Sequence, residues 1–396
     1  MTIEDLKKTV EKIGLEIDDA SGQVLVEWEK IPWVDSDRPY WAALSSILGI
    51  GPQLLATLVA YFGSAKSVFN KTDSQLQSIK LPEKLITSIL QFKKQHKIPD
   101  WFASQKLSFL AAPEKDFPRD LRRQSCSPSH LWVWGNIKIL NSRLPLAIVG
   151  TRKITPYGRD ITHELSAKLT SRGVTVVSGL MYGVDEVAMR AALESGRRVI
   201  GVWAGGLTPA SLGSRFFLAQ EVVAAGGAVV SELPPSQMPN KGLFPARNRI
   251  VAGMSKGVLV TEGAVKSGSL ITAGFGMEQG KPIFAVPGPI TSSLSAGPNE
   301  LLKLGAHAVT QAEDIFAVLG MNDKSVAADG RENQFEYQPK NSVETKILDI
   351  LKSGPLSVDE IVRQANLSVS QIGETLIELD LTAAVRQIGD QWKISS

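Results

Sequence analysis

Six cations stand in short stretches that follow apolar runs: Arg152 and Lys153, Lys241, Arg247 and Arg249, and Lys266. Interleaved with them are Phe244, Asn248 and the small groups Gly150, Ser178, Gly179, Ser267, Gly268 and Ser269. Glycine lets a backbone approach a ligand closely, and Ser or Gly at a helix start leaves N–H groups for an anion. Cations around such a spot favour phosphate, and a flat apolar ring beside them gives a base something to stack on. The chemistry implied is the binding of a single-stranded nucleic acid. Each residue alone has an ordinary alternative: Arg249 in a structural ion pair, Phe244 in the core, Ser267-Gly268-Ser269 as a helix cap. Their convergence on one edge of a sheet argues for a shared site.

That convergence follows from the elements around them. Leu146–Gly150, Val174–Ser178, Val199–Trp203, Ala228–Ser231, Val258–Val260 and Ile283–Val286 read as short buried strands. Helical patterns lie between them, Pro156–Thr170 among them. Short β-branched runs alternating with amphipathic helices predict a Rossmann-like, doubly wound, mostly parallel sheet covered on both faces. Open α/β sheets bind ligands beyond the carboxyl ends of their strands, where the cations, glycines and serines stand.

The rest of the chain divides around this region. Residues 1–38 form an unassigned extension, 39–110 a helical module, 111–320 the Rossmann-like domain, 321–341 a polar linker and 342–396 a C-terminal domain. In the helical module, Leu48-Gly49-Ile50-Gly51-Pro52 precedes Leu54, Leu55, Leu58, Val59 and Phe62 at helical spacing and a stop at Gly63. Two glycines flanking one apolar residue fit a helix-hairpin-helix or a similar packing module. The flanking Gln53, Ala60 and Tyr61 are not basic, which favours packing. The C-terminal segment shows three short helical patterns, Glu344–Leu351, Ser357–Ala365 and Ser368–Leu379, then strands Ala384–Gln387 and Gln391–Ile394, the layout of a winged helix.

Bulk composition says less than charge placement. The chain has 396 residues, 43% hydrophobic and 21% charged, with a net charge of +3. From Ser342 onward there are five basic and eight acidic residues, so that segment carries −3 and the first 341 residues carry +6. An acidic winged helix is a poor duplex reader and is expected to be an interaction module. The single cysteine, Cys126, excludes an internal disulfide and a cysteine-ligated cluster, and no run approaches 18 apolar residues. A soluble, cytoplasmic protein with no membrane partner is expected.

Catalytic signatures are missing from the key loops. Gly150-Thr151-Arg152-Lys153-Ile154-Thr155 is not a G-x-G-x-x-G fingerprint, and no Walker A run occurs. His96, His130, His163 and His307 all lie elsewhere. Asp185, Glu232 and Glu262 are the acids near strand ends, and Asp185 is expected to cap or orient a helix. No catalytic residue, metal or cofactor is predicted.

These loops resemble those of the DNA-processing protein A (DprA/Smf) family. The resemblance rests on Val149-Gly150-Thr151-Arg152 with Thr155-Pro156-Tyr157-Gly158, and on Val177-Ser178-Gly179-Leu180 with Gly183-Val184-Asp185. Phe244-Pro245-Ala246-Arg247-Asn248-Arg249-Ile250, Ser267-Gly268-Ser269-Leu270-Ile271-Thr272-Ala273 and Phe284-Ala285-Val286-Pro287-Gly288 extend it. So do Phe117-Pro118-Arg119-Asp120-Leu121 and Leu131-Trp132-Val133-Trp134-Gly135 upstream. The resemblance runs from about Trp41 to the C-terminus and implies a sterile-alpha-motif-like or helix-hairpin-helix module, a Rossmann-like domain and a winged helix.

It further implies a non-enzymatic protein that binds and protects single-stranded DNA and loads the RecA recombinase onto it during natural transformation. By motif position, Arg152, Lys241, Arg247 and Arg249 would grip phosphates and Phe244 would stack on a base. Ser178, Gly179, Ser267, Gly268 and Ser269 would give close contacts. A homodimer through the Rossmann-like domain is implied as well. Departures from the family pattern cluster at one corner: Met181 and Tyr182 where a small and a basic residue are usual, Val187-Ala188-Met189 in place of Ala-His, and no Tyr-Pro within Thr208–Ser214.

The rival is an enzyme on the same kind of fold, a LOG-like nucleotide phosphoribohydrolase. That group needs a Pro-Gly-Gly-x-Gly-Thr loop followed by a catalytic glutamate. Here the stretch is Thr261-Glu262-Gly263-Ala264-Val265-Lys266-Ser267-Gly268-Ser269. A third reading, a transcription regulator acting through the winged helix, meets the same acidic balance.

Overall fold

The β-branched runs become strands because each is apolar on both sides and flanked by glycine or polar residues that stop it. The structure, a computed structural model, describes residues 16–17, 24–77, 81–320, 339, 341–352, 354–365, 367–381, 385–388 and 391–394. They fall into two units, divided at Val326.

The first unit is built on a sheet of nine strands. In chain order these are β1 (Ser108–Ala111), β2 (His130–Gly135), β3 (Pro145–Val149), β4 (Thr175–Ser178), β5 (Val199–Val202), β6 (Ala228–Ser231), β7 (Val258–Val260), β8 (Ile283–Ala285) and β9 (His307–Ala308). Their spatial order is β9-β8-β7-β3-β4-β5-β6-β2-β1. β3 to β9 pair parallel, whereas β2 pairs antiparallel with both β6 and β1. The expected fold, a mostly parallel doubly wound sheet, is the fold the chain adopts. The sequence reading left out β1, β2 and the two-residue β9. Trp132 pairs with Phe109 across β1–β2, so the aromatic run around residue 132 is a strand that extends the sheet at its antiparallel edge.

From β3 the chain winds outward through β4, β5 and β6, then returns to β7 on the other side of β3. The loops after β3 and β7 therefore leave in opposite directions, which opens a crevice between them. Five helices pack on the parallel strands: α1 (Pro156–Ser171), α2 (Val184–Glu194), α3 (Phe216–Ala224), α4 (Leu243–Gly253) and α5 (Gly268–Glu278). Beneath them Ile148, Val176, Val177, Ile200, Val229, Val258 and Leu259 are fully buried.

The N-terminal helices share this core. Trp41, on helix Arg38–Ser45, donates its indole N–H to the Ser129 carbonyl at 3.1 Å, and Arg38 pairs with Glu114 at 2.5 Å. Helix Pro52–Phe62 follows the hairpin, with Ile50 buried and Leu48 exposed at its tip. Trp28 and Ile31, from the extension left unassigned by sequence, are buried in the same cluster. Residues 1–15 and 18–23 of that extension and nearly all of the linker at 321–341 lie outside the described residues.

The second unit has its own core of Ile347, Leu351, Ile361, Ile372, Leu376 and Trp392. Helices α6 (Ser342–Leu351), α7 (Val358–Ala365) and α8 (Val369–Leu381) precede a wing. Asn341 caps α6, its Oδ1 accepting from the Val343 and Glu344 amides at 3.0 and 2.9 Å. In the wing, β12 (Gln391–Ile394) pairs antiparallel with β11 (Val385–Ile388) and with the short β10 (Leu356–Ser357), completing a winged helix. Among the described residues no helix is long and apolar enough to cross a membrane.

Candidate functional site

At the carboxyl end of β3, the Thr151 amide donates to the Glu262 carbonyl at 2.7 Å, tying the β3 loop to the end of β7. Thr155 caps α1, its Oγ1 accepting from the Gly158 amide at 3.0 Å. The same hydroxyl donates to Glu262 Oε1 at 2.6 Å, and the Thr155 amide donates to Oε2 at 3.0 Å. Glu262 is 2% exposed and fills the space a β-carbon at 158 would need. Both carboxylate oxygens are thus committed to shaping the loop.

At the end of β4, the Ser178 hydroxyl turns into the sheet and donates to the Ile148 carbonyl at 2.7 Å. Asp185 accepts from the Gly179 and Met181 amides at 3.0 and 3.4 Å. The residue at the N-cap of α2 is Gly183, not Asp185. Asp185 sits in the first helical turn, and its carboxylate reaches back to orient the preceding loop. Arg247 rises from α4 underneath, donating to the Gly179 carbonyl at 2.5 Å and to that of Val202. Burial pushes the Arg247 guanidinium down to about 10 against the pull of Asp185, and burial pushes the Asp185 carboxyl up against the pull of Arg247. A β-carbon at 179 would lie 2.6 Å from both Arg247 Nη2 and Asp185 Oδ2, so only glycine leaves room for the pair.

α4 carries the aromatic residue. Phe244 is half-buried, with the Trp203 ring edge-on at 6.1 Å. Arg152, exposed on the β3 loop, places its guanidinium over the Phe244 ring at 5.1 Å from the centroid. The far end of α4 is fixed by Lys281, which donates to the Ala252 and Gly253 carbonyls at 2.6 and 2.8 Å. Burial pushes that ammonium down to about 8.

The third wall is the start of α5. No side chain caps it, because the Ser267 and Ser269 hydroxyls bond each other at 2.5 Å. Asn248 Nδ2 donates to the Gly268 carbonyl at 3.0 Å and locks α4 against α5. Among the described residues nothing accepts from the Gly268 and Ser269 amides, and the space above Gly268 is open. The first-turn amides of an eleven-residue helix, with its dipole behind them, suit an anion.

Together these loops enclose a cavity of about 430 Å³. Gly150, Arg152, Gly179, Lys241, Phe244, Arg247, Asn248, Ser267, Gly268 and Ser269 line it, joined by Met181 and Asp185. Four residues grouped with them by sequence do not. Ser178 faces the sheet, Arg249 is ion-paired with Glu232, and Lys153 and Lys266 stand exposed outside the lining. Among the described residues no carboxylate pairs with Arg152, Lys153, Lys241 or Lys266. The lining therefore offers exposed cations, free amides and an aromatic face, over a floor where Arg247 is held by the Gly179 and Val202 carbonyls. Among the described residues no group of His, Cys, Asp and Glu side chains could hold a metal ion. The role of Lys281 had no clear signal in sequence, since it acts on carbonyls brought near only by folding.

Comparison with known proteins converges on one family. The profile of the family described as DNA recombination-mediator protein A matches residues 108–320, and that of the DprA winged helix domain matches 334–391. Protein Smf of Escherichia coli K12 is 35% identical over 291 residues, covering 73% of this chain and 77% of its own. DNA processing protein DprA of Bacillus subtilis 168 is 37% identical over 218 residues, covering 55% and 73%. Among solved structures, DNA processing protein A from Streptococcus pneumoniae superposes with a TM-score of 0.58 at 28% identity, covering 72% of this chain and 98% of its own.

Proposed function

The chain belongs to the DNA recombination-mediator protein A family, and on that footing we propose that it is a single-stranded-DNA-binding protein of DNA uptake and recombination. The strand lies across the cavity at the ends of β3, β4 and β7. The observation that carries the reading is Arg152 over Phe244, an exposed cation and ring beside the uncapped start of α5. Phosphates meet Arg152, Lys241 and the Gly268 and Ser269 amides, while a base stacks on the aromatic platform. Lys153, Lys266 and Arg249 act from further out, and Gly150, Ser178, Gly179, Arg247 and Asn248 hold the loops that the strand touches.

The family description, recombination mediator, supports the next step: the bound strand is handed to a recombinase of the RecA kind. A homodimer through the Rossmann-like domain would bring two such cavities onto one strand. The protein acts in the cytoplasm and without catalysis, a reading supported by Glu262, whose carboxylate is consumed by Thr155.

The test is a titration of the full chain with fluorescent oligo-dT against matched duplex. Tighter binding to the single strand, weakening steeply as salt rises, is expected. No binding to oligo-dT at low salt, together with hydrolysis of a nucleoside monophosphate, would overturn the reading in favour of the phosphoribohydrolase.

A further inference from the structure

Beyond the Phe244 platform, the loop from β4 to α2 presents a second exposed ring. Tyr182 follows Met181, which lines the cavity, and precedes Gly183. A β-carbon at 183 would lie 2.9 Å from the Arg152 Cα, so the backbone next to Tyr182 runs directly beside the residue that covers Phe244, while the Tyr182 ring itself stands outside the cavity lining.

Its ring is held on one side only. Arg215 stands 4.2 Å from the ring centroid and is itself 5% exposed. That guanidinium is fixed from below: its Nε donates to the Leu180 carbonyl at 2.8 Å and its Nη1 pairs with Glu186 at 2.9 Å. The Tyr182 hydroxyl donates to Ser214 Oγ at 2.7 Å, which fixes the direction of the side chain. Yet the residue remains 48% exposed, so the outer face is bare. Leu180 adopts φ +57°, and the Asp185 bonds to Gly179 and Met181 hold the same loop, so the ring is carried by a rigid segment.

An aromatic ring fixed at its hydroxyl, backed by a buried cation and open on its outer face is a preorganised stacking surface. A cation on one face polarises the ring and leaves the other to a flat π-system. Ordering such a ring on binding costs little side-chain entropy, because the structure has already ordered it. We propose that Tyr182 is a second base-stacking platform, so that the strand runs from Phe244 past Arg152 onto Tyr182 and is read at two bases. The proposal rests on the single-strand reading above and adds a subsite to it.

The experiment places 2-aminopurine at each position in turn of a short oligo-dT and follows its quenching by the full-length protein. Wild type is expected to quench at two separate positions. Tyr182→Ala and Tyr182→Leu should each lose one of them and weaken binding roughly 5- to 150-fold, the range for one base–aromatic stack. Tyr182→Phe should keep both, since it retains the ring and drops only the hydroxyl. Phe244→Ala should lose the other position. The leucine variant separates stacking from cover, because it still shields Arg215. A wild-type chain that binds but quenches one position, unchanged by Tyr182→Leu, overturns this inference alone. A wild-type chain that ignores the oligonucleotide overturns both this inference and the reading beneath it.

Discussion

The Arg152 guanidinium rests 5.1 Å above the Phe244 ring, joining the loop after β3 to the first turn of α4. The two residues lie 92 positions apart by number, and only the return of the chain across the sheet brings them together. One side chain covers the surface that the other offers, so a base entering the site must share or displace that contact. Their effects on binding are therefore coupled.

Replacing Phe244 by alanine should weaken oligo-dT binding by about 1–3 kcal/mol, whereas tryptophan should preserve it. Replacing Arg152 by alanine should weaken binding to all sequences alike and flatten the dependence of log K on log salt by close to one phosphate contact. The double variant should lose less than the two single losses combined. Fluorescence anisotropy across a salt series measures all three, and strict additivity would show that the two residues act at separate points on the strand.

Gly179 should tolerate no side chain. A β-carbon there meets the buried Asp185 and Arg247 at 2.6 Å, and neither can retreat without giving up its hydrogen bonds to backbone groups. Gly179→Ala is expected to destabilise the fold by about 1–3 kcal/mol, the usual scale for overpacking. Thermal melts of the variant and wild type decide it, and an unchanged melting temperature would mean that the pair has room to move.

These cases show how far the residues spoke before the fold was known. The strands were legible because β-branched runs such as Leu146–Val149 and Val258–Val260 have few other places to go. The site was legible as a set of loops, since a doubly wound sheet sends its strand ends to one edge. The role of each residue within the set was not. Arg152 and Arg247 look alike in sequence, yet one is exposed on a ring and the other buried beneath Gly179. Ser178 and Ser267 likewise both stand at or beyond a strand end, but the first spends its hydroxyl on the Ile148 carbonyl. Burial of a polar group depends on what the chain folds over it, and that information is spread across distant segments. β1 and β2 were missed for a related reason: they lie outside the alternating strand–helix pattern and are defined by pairing with each other and with β6.

Glu262 provides a test of the non-enzymatic reading. Its two oxygens accept from the Thr155 hydroxyl and amide, so Glu262→Gln should place an NH₂ against one of those donors. A loss of about 1–3 kcal/mol of stability is expected, from a buried donor left without an acceptor. Oligo-dT affinity of the folded fraction should stay within a few-fold of wild type, and neither protein should release base from a nucleoside monophosphate. A wild-type hydrolysis rate abolished by Glu262→Gln would instead make this carboxylate catalytic.

Acid should weaken the fold through His130 on β2. The imidazole is 5% exposed, stacks on Phe109 at 5.2 Å and shares a hydrogen bond with Ser129 Oγ at 3.1 Å. Burial pushes it down to about 3, with the Arg249 charge adding to the effect. The unfolded chain protonates this group near 6.5, so between about pH 6.5 and 3 the unfolded state binds the extra proton. Stability is therefore unaffected by His130 above pH 6.5 and falls below it by about 1.4 kcal/mol per pH unit. Urea unfolding at pH 7.5 and pH 5 checks this against His130→Phe, which keeps a flat ring in the same place. Carboxylates titrate in both proteins and cancel in the comparison. Wild type should lose about 2 kcal/mol more than the variant over that interval. Equal losses would mean that the imidazole takes up its proton inside the folded sheet.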